Sequence, residues 1–170
     1  MLKKIIQFSI IILILIHLNC EKEFIEPQGP DLKGKVKIEI KLVNECPDNQ
    51  FIKPLIKDGV KIYNTCKEPL FSIKDYRSIK LLKKNNNNSV IYYFGIIFNN
   101  AEILKAATKI RGRKWSYYVN DSLKGVIVLF VRIECGFIFF GDFSEKEIIE
   151  LIGAETFKQY QTVWKNSSDK

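Results

Sequence analysis

GFIFFGDFSEKEIIELIG, running from Gly136 to Gly153, sets a strand, a turn and a helix start end to end. Phe137 to Phe140 is an unbroken apolar and aromatic run, the composition of a buried strand. Gly141-Asp142-Phe143 interrupts it. Ser144 and Glu147 then stand at the spacing of a capping box, in which each side chain reaches the other's backbone amide. The helix they open carries Ile148, Ile149, Leu151 and Ile152 and stops at Gly153, a residue suited to a left-handed helix end.

Working upstream, Gly125–Glu134 reads as a long apolar strand, Asn120–Lys124 as a turn and Trp115–Val119 as another strand. Asn99 or Asn100 can cap a helix over Ala101–Arg111, where Ile103, Leu104, Ala107 and Ile110 share one face before Gly112. Ser89–Phe98 reads as a buried strand, preceded by an asparagine loop at Asn85–Asn88. Leu70–Leu82 reads as a turn leading into a strand, with Ser72 or Asp75 able to cap a brief helical turn. Asn44–Asp58 is turn-rich and Val60–Tyr63 is a short strand. Lys35–Val43 alternates strictly, with Val36, Ile38, Ile40 and Leu42 on one side, the mark of a half-buried strand. Downstream, Thr156–Trp164 can form a last amphipathic helix ahead of a polar tail at 166–170. The fold class is α+β, an antiparallel sheet with two or three helices on one face, in a single domain over residues 35–165.

The first twenty residues have a different character. Lys3 and Lys4 precede an apolar run from Ile5 to Ile16, broken only by Gln7 and Ser9, and Leu18-Asn19-Cys20 follows. Such a run of roughly a dozen residues is short of the about twenty needed to span a bilayer and matches a secretory signal. Lipoprotein processing acylates a cysteine thiol and cleaves just before it, so residues 1–19 read as a lipoprotein signal peptide and Cys20 as the lipid-attachment residue. His17 and Asn19 depart from the usual box, in the looser manner of spirochaete-type lipoproteins. The alternatives are an uncleaved anchor helix and an ordinary cleaved signal. Residues 20–34, with Pro27, Gly29, Pro30 and Gly34 among charges, read as an extended or disordered tether.

A set of turn and cap residues runs in a familiar order. Glu68, Pro69 and Leu70 lead into a strand, Thr108, Gly112 and Lys114 end a helix, Asn120 and Asp121 turn, and Gly136, Gly141, Phe143 and Ser144 bracket the last strand. Over residues 63–154 this order resembles the head subdomain of the first periplasmic domain of the SecD/SecDF protein-export subunits. The resemblance implies a ferredoxin-like head, freestanding and lipid-anchored, able to contact exported polypeptides or an unidentified envelope protein. Two departures stand out. Gly125-Val126-Ile127 replaces the small residue and proline usual after the aspartate turn, and the family's long transmembrane part is not in this sequence.

Chemistry is constrained by what the mature chain lacks. His17 is the single histidine and leaves with the signal, so histidine-based acid–base catalysis and metal ligation are closed to it. Glu134, Asp142 and Glu145 show no spacing that marks a carboxylate pair, and no phosphate-binding glycine loop or metal cluster stands out. The expectation is no enzyme, no cofactor and no metal, with a carboxylate-pair hydrolase a distant third reading.

Removal of residues 1–19 takes two of the 27 basic residues and none of the 19 acidic ones, leaving 25 against 19, a net +6. The excess is spread lysine running with asparagine and isoleucine, so it does not define a nucleic-acid site. Cys46 and Cys66 flank the turn-rich insert. A bridge between them would close about twenty residues and stabilise by roughly 3 kcal/mol. Three reduced thiols, or a bridge from Cys66 to Cys135, are the other arrangements; Cys135 on its own reads as an inert packed thiol. Trp115, Tyr117 and Tyr118 are candidate contact residues on the strand beside the turn. The expected role is a non-catalytic binding or interaction module of the bacterial cell envelope, on the inner or outer membrane and facing periplasm or exterior. The alternative is a surface lipoprotein binding an environmental or host ligand.

Overall fold

The computed structural model describes residues 27–168 apart from 45, 47–54, 58–59, 87–88, 110–111, 130–132 and 134. The strands in chain order are β1 (Ile38–Leu42), β2 (Leu55–Lys57), β3 (Val60–Tyr63), β4 (Tyr76–Asn86), β5 (Ser89–Phe98), β6 (Arg113–Val119), β7 (Ser122–Leu129) and β8 (Phe137–Phe143). The helices are α1 (Ala101–Thr108), α2 (Glu145–Ile152) and α3 (Ala154–Ser168). The α+β class and the antiparallel pairing are those expected from the sequence. The strands divide into two three-stranded sheets, β1-β6-β7 and β4-β5-β8, with β2 and β3 forming a separate hairpin.

Period-two alternation sets each sheet's inner face. On β1, Ile38, Ile40 and Leu42 are buried and stand opposite Val119, Tyr117 and Trp115 of β6. The β6–β7 connection is tighter than expected, because Val119 already faces Ser122 and only Asn120 and Asp121 lie between. Their φ values of 48° and 64° are those a two-residue hairpin needs, a conformation asparagine and aspartate tolerate. In the second sheet Ile79 faces Ile96 and Leu81 faces Phe94, while Phe94 and Ile96 face Phe140 and Ile138. The inner faces of both sheets meet in one cluster, with Trp115 5.7 Å from Phe71 and Tyr117 5.1 Å from Phe140 between ring centres.

All three helices bury their apolar stripes in that same cluster: Leu104 of α1, Ile148 and Ile152 of α2, Phe157 and Tyr160 of α3. Asn100 caps α1, accepting the Glu102 amide at 2.9 Å. Ser144 and Glu147 form the capping box of α2. At Gly136 φ is +73°, and an added Cβ would come within 2.8 Å of the Ala101 Cβ, so glycine alone lets α1 start where it does. The last helix runs further than expected, since Lys165 to Ser168 continue α3 instead of fraying.

The tether is shorter than expected. Leu32 is fully buried, and its amide donates to the Ile79 carbonyl at 2.8 Å. The Ile79 amide donates to Asp31 Oδ1 at 2.9 Å, and the Leu81 amide donates to the Tyr160 hydroxyl at 3.1 Å. That hydroxyl in turn donates to the Pro30 carbonyl, while the Lys80 ammonium holds the Gly29 carbonyl at 2.8 Å. β4 is an edge strand with backbone groups to satisfy, and the segment Gly29–Leu32 with α3 satisfies them. Gly29 is needed there, because a side chain at its φ of +123° would collide with the Tyr160 ring.

Candidate interaction surface

Of the residues marked out by sequence, Cys20 and Glu134 lie outside the described residues. Cys46 and Cys66 are brought together as a disulfide with 5.3 Å between Cα atoms. Both are buried, the Cys66 amide donates to the Leu42 carbonyl at 2.9 Å, and Val43 bridges Thr65, so the link ties the chain beyond the insert to the end of β1. Cys135 is also held in a disulfide, which corrects the inert packed thiol expected there.

The expected contact trio is not a surface. Trp115 is 0% and Tyr117 8% exposed, because β6 is the middle strand of its sheet and its odd-numbered residues point into the core. Tyr117 lies over Gly125 on β7, where a Cβ would approach its ring to 2.7 Å. Tyr118 points the other way and is half-buried: its hydroxyl is 2.9 Å from Thr65 Oγ1, and the Lys41 ammonium lies 5.2 Å over its ring. That outer face of the sheet is polar, with Glu39 bridging Lys37 and Lys41 at 3.1 and 3.2 Å.

A different place offers a concave surface. A groove of about 330 Å³ runs between Lys83, Val90 and Tyr92 of β4 and β5 and Glu145, Gln161 and Trp164 of the helices. The Tyr92 hydroxyl donates to Glu145 Oε2 at 3.1 Å, and the Tyr92 ring lies 5.8 Å from Trp164. Lys83 places its ammonium 5.9 Å over the same indole. Burial first, then the Glu145 contact, pushes the Tyr92 phenol up to about 12, so it stays a donor across the physiological range. The wall is therefore aromatic and its rim carries both charges, a surface suited to an amphipathic partner group. Sequence reasoning missed it because Lys83 fell between a strand and an asparagine loop and Trp164 at the end of the last helix. Their approach depends on α3 packing along β4.

Asp142 is raised above the usual carboxylate range by burial and then by Glu147. Glu147 is held below it, chiefly by the Ser144 amide at 2.9 Å. Glu145 accepts from Tyr92. Among the described residues no three histidine, cysteine, aspartate or glutamate side chains group as metal ligands, and no helix is long and apolar enough to cross a membrane.

No family model matches the chain, and no curated protein matches it. Among solved structures, the crystal structure of SecDF in its super-membrane-facing form is similar at 12% identity with a TM-score of 0.48. The match covers 67% of this chain and 17% of that one.

Proposed function

We propose that the chain is an exported lipoprotein whose folded part is a non-catalytic interaction module of the bacterial cell envelope, tethered by acylated Cys20. The observation that carries the reading is the Cys46–Cys66 disulfide in a chain that begins with Lys3-Lys4, an apolar run and Leu18-Asn19-Cys20. Cytosolic thiols are kept reduced, whereas such a bond persists after export. With residues 1–19 removed no histidine remains, which favours binding over catalysis. The partner proposed is an exported polypeptide or an envelope protein, engaged through the groove beside Trp164. A diacylglyceryl thioether would bar the Cys20 sulfur from any disulfide, so with Cys46 and Cys66 paired to each other the acylated protein cannot keep the disulfide at Cys135 within one chain.

Growth with labelled fatty acid tests the reading. Label should enter the wild-type protein and be lost in Cys20→Ala, which should also leave the membrane or keep its signal. Equal incorporation into both proteins would overturn it.

A further inference from the structure

The chain has four cysteines, Cys20, Cys46, Cys66 and Cys135. Cys46 is joined to Cys66, and Cys135 is held in a disulfide as well. Within one chain the second sulfur at Cys135 can come only from Cys20. On the lipoprotein reading, on which this inference rests, the Cys20 sulfur becomes a thioether, and a thioether sulfur forms no disulfide. The acylated protein therefore keeps a disulfide at Cys135 only if the other sulfur belongs to a second chain. An odd number of available cysteines in an exported protein points the same way.

Cys135 is placed for such a bond. It stands just before Gly136, at the bend that leads into β8. Gly136 has a φ of +73° and its carbonyl accepts the Phe98 amide at 3.0 Å, so the bend is fixed against the end of β5. Cys135 is half-buried where it packs on the core cluster. Cys46 and Cys66 are only 8% and 4% exposed and already hold each other. Thiol–disulfide exchange depends on access to the sulfur, which leaves Cys135 as the position open to it. The anchor then decides which second chain is nearest. Nine residues lead from Cys20 to Gly29, whose carbonyl is held by Lys80. At up to ~3.5 Å each they keep the folded part within roughly 30 Å of the membrane surface. Copies confined to so thin a layer meet at a raised effective concentration. Each acylated copy also carries one such sulfur and needs one, so a two-fold pair closes with none left over.

We propose that the acylated protein is a covalent dimer in which Cys135 of one copy is linked to Cys135 of a second copy. The bond forms by exchange with a disulfide-bearing oxidase of the envelope. The Cys135 thiolate of one copy attacks the oxidase disulfide and forms a mixed disulfide, from which the thiolate of the second copy displaces the oxidase. Two S–H groups become one S–S bond. Their two protons and two electrons end on the oxidase, whose disulfide becomes a dithiol.

The test treats intact cells with N-ethylmaleimide to stop exchange, recovers the full protein from its membrane, and maps its disulfide-linked peptides without reduction. The expected product runs at twice the monomer mass, falls to the monomer on reduction, and contains a peptide joining two copies of Cys135. Two differently tagged copies expressed together should purify as a mixed dimer. Cys135→Ser should leave monomer alone while Cys20 keeps its acyl label. An acylated monomer whose Cys135 carries maleimide, or is bound to a different protein, overturns the proposal. A peptide joining Cys20 to Cys135 in one chain overturns it in another way, because it removes the lipoprotein reading beneath it. The two failures leave different peptides and are told apart in the same digest.

Discussion

Tyr160→Phe removes one oxygen from the place where the incoming chain meets β4. The ring stays, so packing against Trp164 at 5.5 Å is kept. What goes is an acceptor for the Leu81 amide at 3.1 Å and a donor to the Pro30 carbonyl. Each hydrogen bond is worth about 1 kcal/mol, and a buried backbone group left unpaired costs about 1–3 kcal/mol, so the loss should be about 3 kcal/mol. For a domain of this size that corresponds to a fall in Tm of about 10 °C. Thermal unfolding measures the total. Hydrogen exchange locates it, because the Leu81 amide should exchange about a hundredfold faster than in the parent protein once local opening of the β4 edge is about 3 kcal/mol easier. A change under ~0.5 kcal/mol, within the range of neutral surface substitutions, together with an unaltered Leu81 amide, would refute the docking of Gly29–Leu32 on β4.

Three further outcomes follow from named contacts. Burial pushes the Tyr117 and Tyr160 phenols up to about 12, against an ordinary value near 10, so the stability they contribute is complete below about pH 10 and is lost as the pH rises towards 12. Phenolate absorbance from these rings should therefore appear only with unfolding, and full ionisation near pH 10 in a folded protein would contradict their burial. Ser144→Ala should cost about 1 kcal/mol through loss of the α2 cap, measured by denaturant titration, and an unchanged midpoint would place the helix start elsewhere. Replacing Cys46 and Cys66 together by alanine should cost about 3 kcal/mol for a closed loop of this length. Equal stability of the oxidised parent and the double variant would mean that the bond constrains nothing.

Local features of the fold were legible because their chemistry is local. Asn120-Asp121 marks a turn by its tolerance of positive φ, Ser144 and Glu147 mark a helix start by spacing, and the alternation of Ile38, Ile40 and Leu42 gives the buried side of β1. Long-range neighbours were not legible. The contact of Asp31 with Ile79 joins residues 48 apart in sequence, and nothing in a proline- and glycine-containing stretch reveals that an edge strand elsewhere needs partners. Trp115 and Tyr117 illustrate the same limit. Their alternation with Ser116 was visible, but exposure depends on whether a strand lies at the edge or in the middle, and β6 has neighbours on both sides. The groove beside Trp164 requires two helices and two strands to converge, so no single segment announces it.

Export followed by lipid anchoring of a disulfide-bonded module would be read off the protein recovered from its native membrane by non-reducing intact-mass spectrometry. The expected species is a chain that begins at Cys20, carries a diacylglyceryl group on that residue, and has Cys46 linked to Cys66. A chain that still begins at Met1, or one that begins at an unmodified Cys20, would contradict it.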